Sequence, residues 1–266
     1  MNYIRTSSRG SSRSDVGPGL QLGDILPNFL DIPPQTVSIY SQAGATILNL
    51  AQNAITEHYD RGCPPNSMVY FLAGYCNAVT REVEPHLYMR DHRGVAVDYG
   101  RYEEAYFIEE ELDFLERMIS FILEVDEYLK GEGLRPVFAT IPPGHLSRWN
   151  YGRLEKGRTC ILKYVEEYNE MQVKLNSSLT RLNGYIKKIN TINAVYTPYL
   201  AGTVISTNKN SSLTPVFSDH KLHDGVHAGD TLFITWAKKF AKSMNKNREE
   251  LLPTLVPRIH SSYLFG

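Results

Sequence analysis

Two short runs, Met68-Val69-Tyr70-Phe71-Leu72-Ala73 and Arg135 to Ile141, constrain the fold more than any other feature of the sequence. Both are largely apolar without alternation, the pattern of strands covered on both faces. Between them, residues 103–130 carry Phe107, Leu112, Leu115, Ile119, Ile122, Leu123 and Leu129 at helical spacing. Acidic residues crowd the first turns of that stretch, where the helix dipole favours them. Strand, long helix and strand make a βαβ unit, and such units require a parallel sheet with helices on its faces. The alternation extends in both directions. Thr36-Val37-Ser38-Ile39-Tyr40 reads as a strand after Pro33-Pro34, and residues 45–58 as a helix stopped by Gly62 and Pro64-Pro65. Residues 80–102 read as a polar loop, 157–188 as a helix, Ile192 to Tyr196 as a last strand and 230–245 as an amphipathic helix. The expected fold is a three-layer α/β/α domain with a mainly parallel sheet of about four or five strands.

The chain has 266 residues, enough for one large domain. Residues 1–19 are rich in Ser, Arg and Gly and read as a flexible basic tail; the domain is expected over 20–246. Residues 247–266 contain Pro253 and Pro257 and read as irregular. Lys+Arg number 28 and Asp+Glu 29, a balance that argues against a dedicated nucleic-acid binder and leaves the basic tail as the expected place for such contact. No apolar run reaches the ~20 residues of a membrane span, and the N-terminus has no signal-peptide core. The 3 Cys include no CxxC pair, which argues against a disulfide scaffold or structural zinc. The expectation is a cytoplasmic or nuclear protein with reduced thiols, no metal and no cofactor.

In parallel sheets chemistry sits at the carboxyl ends of the strands. Three segments there carry suitable groups. Leu222-His223-Asp224-Gly225-Val226-His227-Ala228-Gly229 precedes the last helix. A carboxylate near an imidazole holds one ring nitrogen and leaves the other as a base, although Asp224 or Asp230 could equally cap the helix. Phe71-Leu72-Ala73-Gly74-Tyr75-Cys76-Asn77 ends a buried strand, and an Asn amide there can donate to an oxyanion. In Ser41-Gln42-Ala43-Gly44-Ala45-Thr46, Gly44 opens a helix whose free N–H groups attract anions. Each segment alone is equally a loop glycine chosen for its backbone.

Their order resembles the SGNH (GDSL-like) hydrolase superfamily, over roughly residues 20–245. Ile141-Pro142-Pro143, Trp149-Asn150, Ile189-Asn190 and Thr197-Pro198-Tyr199-Leu200 further resemble the SGNH-like domains of animal LINE-type retrotransposon open reading frames. The resemblance implies a flavodoxin-like α/β architecture, with His227 as base and Asp224 as its orienter. It implies an oxyanion hole from Gly44 and Asn77, or Cys76, and a small acyl ester or carbohydrate ester as ligand.

Two blocks depart from the family pattern. The first should read G-D-S at the end of the first strand, and here Gly23-Asp24-Ile25 stands in its place. Ile25 has no proton to lose and cannot attack a carbonyl. The third block, aligned on Gly74, puts Cys76 at the Asn position and Asn77 one residue later. Substitute nucleophiles are Cys76, Ser41 or a serine from the 7–14 tail; His145 is a further loop candidate. The expectation is therefore a degenerate esterase with turnover near background, kept as a structural or binding module. The alternative is an active acyl-ester hydrolase using His227/Asp224 with a non-standard nucleophile.

Overall fold

All five residues of strand β3, Met68–Leu72, are buried, as its apolar run requires. The computed structural model describes residues 2–7, 22–31, 37–42, 46–62, 64, 66–83, 104–149, 160–162, 168–204 and 225–255. β3 is flanked by β1 (Asn2–Ser7) and β6 (Arg135–Phe138), and β2 (Val37–Gln42) lies outside β1. The order is β2-β1-β3-β6, and every pair is parallel.

The reading of residues 1–19 as a tail is corrected at its start. Asn2–Ser7 is an interior strand, paired with β2 along its whole length and with β3 over Asn2–Thr6. Its place rests on backbone hydrogen bonds to both neighbours, which its composition, with Ile4 as its only aliphatic residue, does not advertise.

Helices cover both faces. On one, α2 (Ile47–Arg61), α4 (Glu111–Gly131) and α6 (Tyr168–Ile192) share a core with Val69 and Phe71. On the other, α1 (Leu22–Ile25) and α7 (Asp230–Leu255) share a core with Tyr70 and Leu72. Alternate residues of β3 thus enter opposite layers, as the period of a strand dictates. Local chemistry fixes the ends of α2. Thr46 and Asn49 form a capping box, and Gly62 closes the helix with a left-handed φ of 59°.

Four further expectations are corrected. The expected loop at 80–102 begins with strand β4 (Val79–Val83). The helix expected from 103 begins as strand β5 (Glu104–Ile108), and that expected from 157 contains strand β7 (Cys160–Leu162). These three form a second sheet, β4 and β5 antiparallel, β5 and β7 parallel. α7 runs on to Leu255, past the expected boundary at 246. Its Asn247 is buried and donates to the Tyr70 hydroxyl at 3.0 Å.

The last expected strand, Ile192 to Tyr196, is absent: α6 continues to Ile192 and residues 195–200 are irregular. What replaces it at the outer edge of β6 is a pair of asparagines seven residues apart on one face of α6. Asn190 accepts from the Phe138 N–H at 3.1 Å and donates to the Phe138 carbonyl at 2.6 Å. Asn183 does the same for Ile141, at 2.6 and 2.8 Å. The two amides satisfy backbone groups that a fifth strand would have paired. Asn190→Ala would orphan both Phe138 groups. The expected loss is on the order of 3 kcal/mol, read as a lower urea midpoint without a change of fold.

Candidate active site

The chain leaves β1 for α1 on one face of the sheet and leaves β3 for α4 on the other. β1 and β3 are neighbours, so their carboxyl ends flank a topological switch point, where a crevice opens in parallel sheets. Thr6 pairs with Leu72. Ser7, the last residue of β1, therefore stands level with the start of the Ala73-Gly74 turn.

That turn is tightly built. Gly74 has φ of 115°, and a Cβ there would lie 2.6 Å from the Ile141 side chain. Helix α3 (Tyr75–Ala78) follows at once. Asn77 is only 6% exposed, and its Oδ1 has no hydrogen-bond partner among the described residues. Its backbone carbonyl accepts from Arg117 Nη2 at 2.8 Å, and Arg117 is held in turn by Glu109 through Nε at 3.1 Å and through Nη2. The Glu109 N–H donates to the Ala78 carbonyl. A part-buried ion pair in the first turns of α4 thus clamps the turn, while the Asn77 amide oxygen has no partner among the described residues.

The loop after β6 packs on the same turn. Gly144 lies against the Tyr75 ring so closely that a Cβ would fall 2.1 Å from the hydroxyl oxygen. Gln172 of α6 accepts from the Leu146 N–H and donates to the Gly144 carbonyl, fixing the loop from the other side. His145 Nδ1 accepts the Arg148 N–H at 3.3 Å. It caps α5, described over residues 146–149, and its geometry is that of a helix cap.

The segment 225–228 docks onto this loop through a 2.7 Å bond from the His145 N–H to the Gly225 carbonyl. Val226 belongs to the core shared with α2, α4 and α6, and Ala228 to the core shared with α7. Between them the chain crosses from one layer to the other, and His227, partly exposed, rides over the carboxyl edge of the sheet. The Gly74–Asn77 turn, the loop after β6 and His227 are thus at one end of the sheet.

Gly44 and Asp224 lie outside the described residues; Cys76 is placed in α3 by its backbone alone. The block read at Gly23, Asp24 and Ile25 is corrected: it forms α1, and Ile25 is buried in the α7-side core. The first sheet strand ends instead at Ser7, followed in sequence by Ser8. Among the described residues no group of His, Cys, Asp and Glu could hold a metal ion, and no helix is long and apolar enough to cross a membrane.

No protein-family model matches the chain, and no curated protein matches its sequence. Solved structures do match. A GDSL-like lipase from Bacteroides thetaiotaomicron superposes with a TM-score of 0.52 at 10% identity, over 94% of this chain and 88% of that one. A lipolytic G-D-S-L family protein from Veillonella parvula gives 0.54 at 8% identity, over 92% and 98%. The fold is that of the GDSL-like hydrolases. The acetyl xylan esterase AlAXEase shares it, with a TM-score of 0.50 at 12% identity over 91% and 98%. Within this GDSL-like fold, sequence reasoning passes over Arg117 and Glu109, and it reaches Ser7 only as one serine of the 7–14 tail. A signal for Ser7 existed: Thr6-Ser7-Ser8 directly follows the only β-prone stretch of the N-terminus.

Proposed function

We propose that this chain hydrolyses small acyl esters, carbohydrate esters among them, by nucleophilic catalysis. The observation that carries the reading is the position of β1, an interior strand that ends at Ser7 at the switch point beside the Gly74 turn, with Ser8 next in sequence. The expectation of an inactive module rested on Ile25 occupying the end of the first strand, and Ile25 is a core residue of α1.

In the proposed reaction His227 takes the proton from the hydroxyl of Ser7 or Ser8 as the oxygen attacks the acyl carbon. Asp224, three residues before His227, orients the imidazole. The Gly44 N–H and the Asn77 amide NH2 stabilise the tetrahedral oxyanion. Collapse expels the alcohol, which takes the proton back from His227, and water releases the acyl group by the same steps in reverse order. The burial of Asn77 in α3, directly after the Gly74 turn, supports this role by placing its amide at the carboxyl end of β3. The resemblance to SGNH-like retrotransposon domains belongs to the same proposal, as the kind of protein in which such a domain would serve.

The test is covalent trapping. The full chain, incubated with a fluorophosphonate probe, is expected to carry one phosphonyl group in the peptide that contains Ser7 and Ser8. It is also expected to turn over p-nitrophenyl acetate in proportion to the unlabelled fraction. Labelling elsewhere, or hydrolysis that persists after full labelling, would count against the reading.

A further inference from the structure

The charge of the described helices is segregated. α4 holds six carboxylates and two cations, whereas α7 between Asp230 and Arg248 holds five cations and one carboxylate. Lys239, Lys242 and Lys246 recur at i, i+3 and i+7, one face of the helix over about 10 Å. The ion pairs among the described residues engage none of these lysines. They sit instead among exposed aromatic rings. Lys239 and Lys187 of α6 lie 5.8 and 4.5 Å from the centre of the Tyr199 ring, and Lys246 lies 4.8 Å from that of Tyr196.

The two tyrosines are 40% and 42% exposed, yet the backbone that carries them is fixed. The Tyr196 N–H donates to Asn247 Oδ1 at 2.5 Å, and its carbonyl accepts from Ser243 Oγ at 2.5 Å; both partners are buried. The Pro198 carbonyl accepts the Thr140 N–H, and Thr140 Oγ1 accepts the Leu200 and Ala201 N–H groups. The rings are therefore presented outward on a rigid support. Beside Tyr199 a groove of about 640 Å³ runs along α6; its lining is mostly apolar, with Pro143, Val173, Leu179 and Ala201, and Asn176 and Arg181 are among its polar groups.

We propose that this edge of the domain binds single-stranded nucleic acid. Lys187, Lys239, Lys242 and Lys246 meet phosphates, Tyr196 and Tyr199 stack bases, and the groove beside Tyr199 receives a base. The combination of cations and pre-positioned aromatic faces is what an unpaired strand requires. The groove opens at Pro143 on the loop after β6, but the lysines and tyrosines that carry this proposal are not ester-site residues, so either proposal can fail alone.

The test is fluorescence anisotropy of a labelled 12-nucleotide oligouridylate with the full chain. Binding is expected at 50 mM salt, with log K falling against log salt at a slope of about −2 to −3, from three or four phosphates at ~0.7 each. Lys239→Gln/Lys242→Gln/Lys246→Gln is expected to weaken binding at least tenfold. Tyr196→Ala/Tyr199→Ala is expected to weaken it by about fivefold or more, with a smaller change in salt slope. Circular dichroism checks that both variants fold, and the tyrosine pair keeps the test open should the lysine variant not. The N-terminal arginines remain in every variant, so binding that survives both sets overturns the proposal. So does failure of the wild type to bind, and so does binding to phosphatidylserine vesicles in place of the oligonucleotide.

Discussion

Replacing Ser7 and Ser8 together by alanine is expected to lower kcat for p-nitrophenyl acetate by about 10⁴-fold or more, with KM little changed. The magnitude follows from roles. A serine hydroxyl becomes a competent nucleophile only when a base takes its proton during attack, and without the hydroxyl no acyl-enzyme forms. What survives is the rate supplied by the oxyanion hole and by binding. His227→Ala is expected to fall to a similar floor, and combining it with the serine pair is expected to cost little more, because the groups act as one unit. Stability separates this from trivial unfolding. β1 is held by backbone pairing to β2 and β3, which alanine preserves, so the urea midpoint of the serine variant should move by less than about 1 kcal/mol. The single variants decide which hydroxyl acts. A double variant with wild-type turnover would place the nucleophile elsewhere, with Cys76 next to be tested.

Much of this fold could be read from the sequence because its parallel core announces itself. The runs at Met68–Leu72 and Arg135–Phe138 are apolar on both faces, and nothing but a two-sided sheet makes use of that. α2 was legible for the same reason, its apolar stripe ending at Gly62. β1 was not, since a strand interior to the sheet is normally apolar and Asn-Tyr-Ile-Arg-Thr-Ser is not. It follows that pairing on both sides, a non-local property, decides its state. β5 was hidden by Glu104 and the carboxylates that flank it, which also suit the first turn of a helix, and pairing with its antiparallel partner β4 resolves the ambiguity. The strand expected at Ile192 to Tyr196 failed for the converse reason. Its residues have strand character, but Asn183 and Asn190 already occupy the edge of β6.

The site divides in the same way. His227 and the Gly74–Asn77 turn were visible because their residue types have chemical meaning at strand ends. The supports were not. The Arg117–Glu109 clamp joins α4 to α3 across some forty residues of sequence, and nothing local marks Arg117 as different from any helical arginine. The Gly23-Asp24 match follows a segment, Gly17 to Leu22, that is a poor strand even in sequence, and the residues of the match form a helix. The proposed nucleophile is drawn from position in the sheet, where β1 ends at Ser7, and not from the motif.

Gly225→Ala is expected to cost about 3–5 kcal/mol and to lower ester turnover with it. Two effects add. Gly225 has φ of 87°, a conformation that a side chain disfavours. A Cβ there would also lie 2.4 Å from the His145 carbonyl oxygen and 2.6 Å from the Trp149 nitrogen. Both are backbone atoms, so no rotamer change relieves the contact, and the bond from the His145 N–H to the Gly225 carbonyl would break as the segments part. His227 is two residues further on and takes its position from this docking. Gly62→Ala isolates the first effect, because Gly62 has φ of 59° with nothing within 4 Å of its would-be Cβ. It should cost about 1 kcal/mol and leave kcat unchanged. Urea unfolding and ester kinetics on the two variants separate the effects. If Gly225→Ala were no more costly than Gly62→Ala, the 225–228 segment would not be seated on the loop after β6, and the placement of His227 at the carboxyl end of the sheet would lose its physical basis.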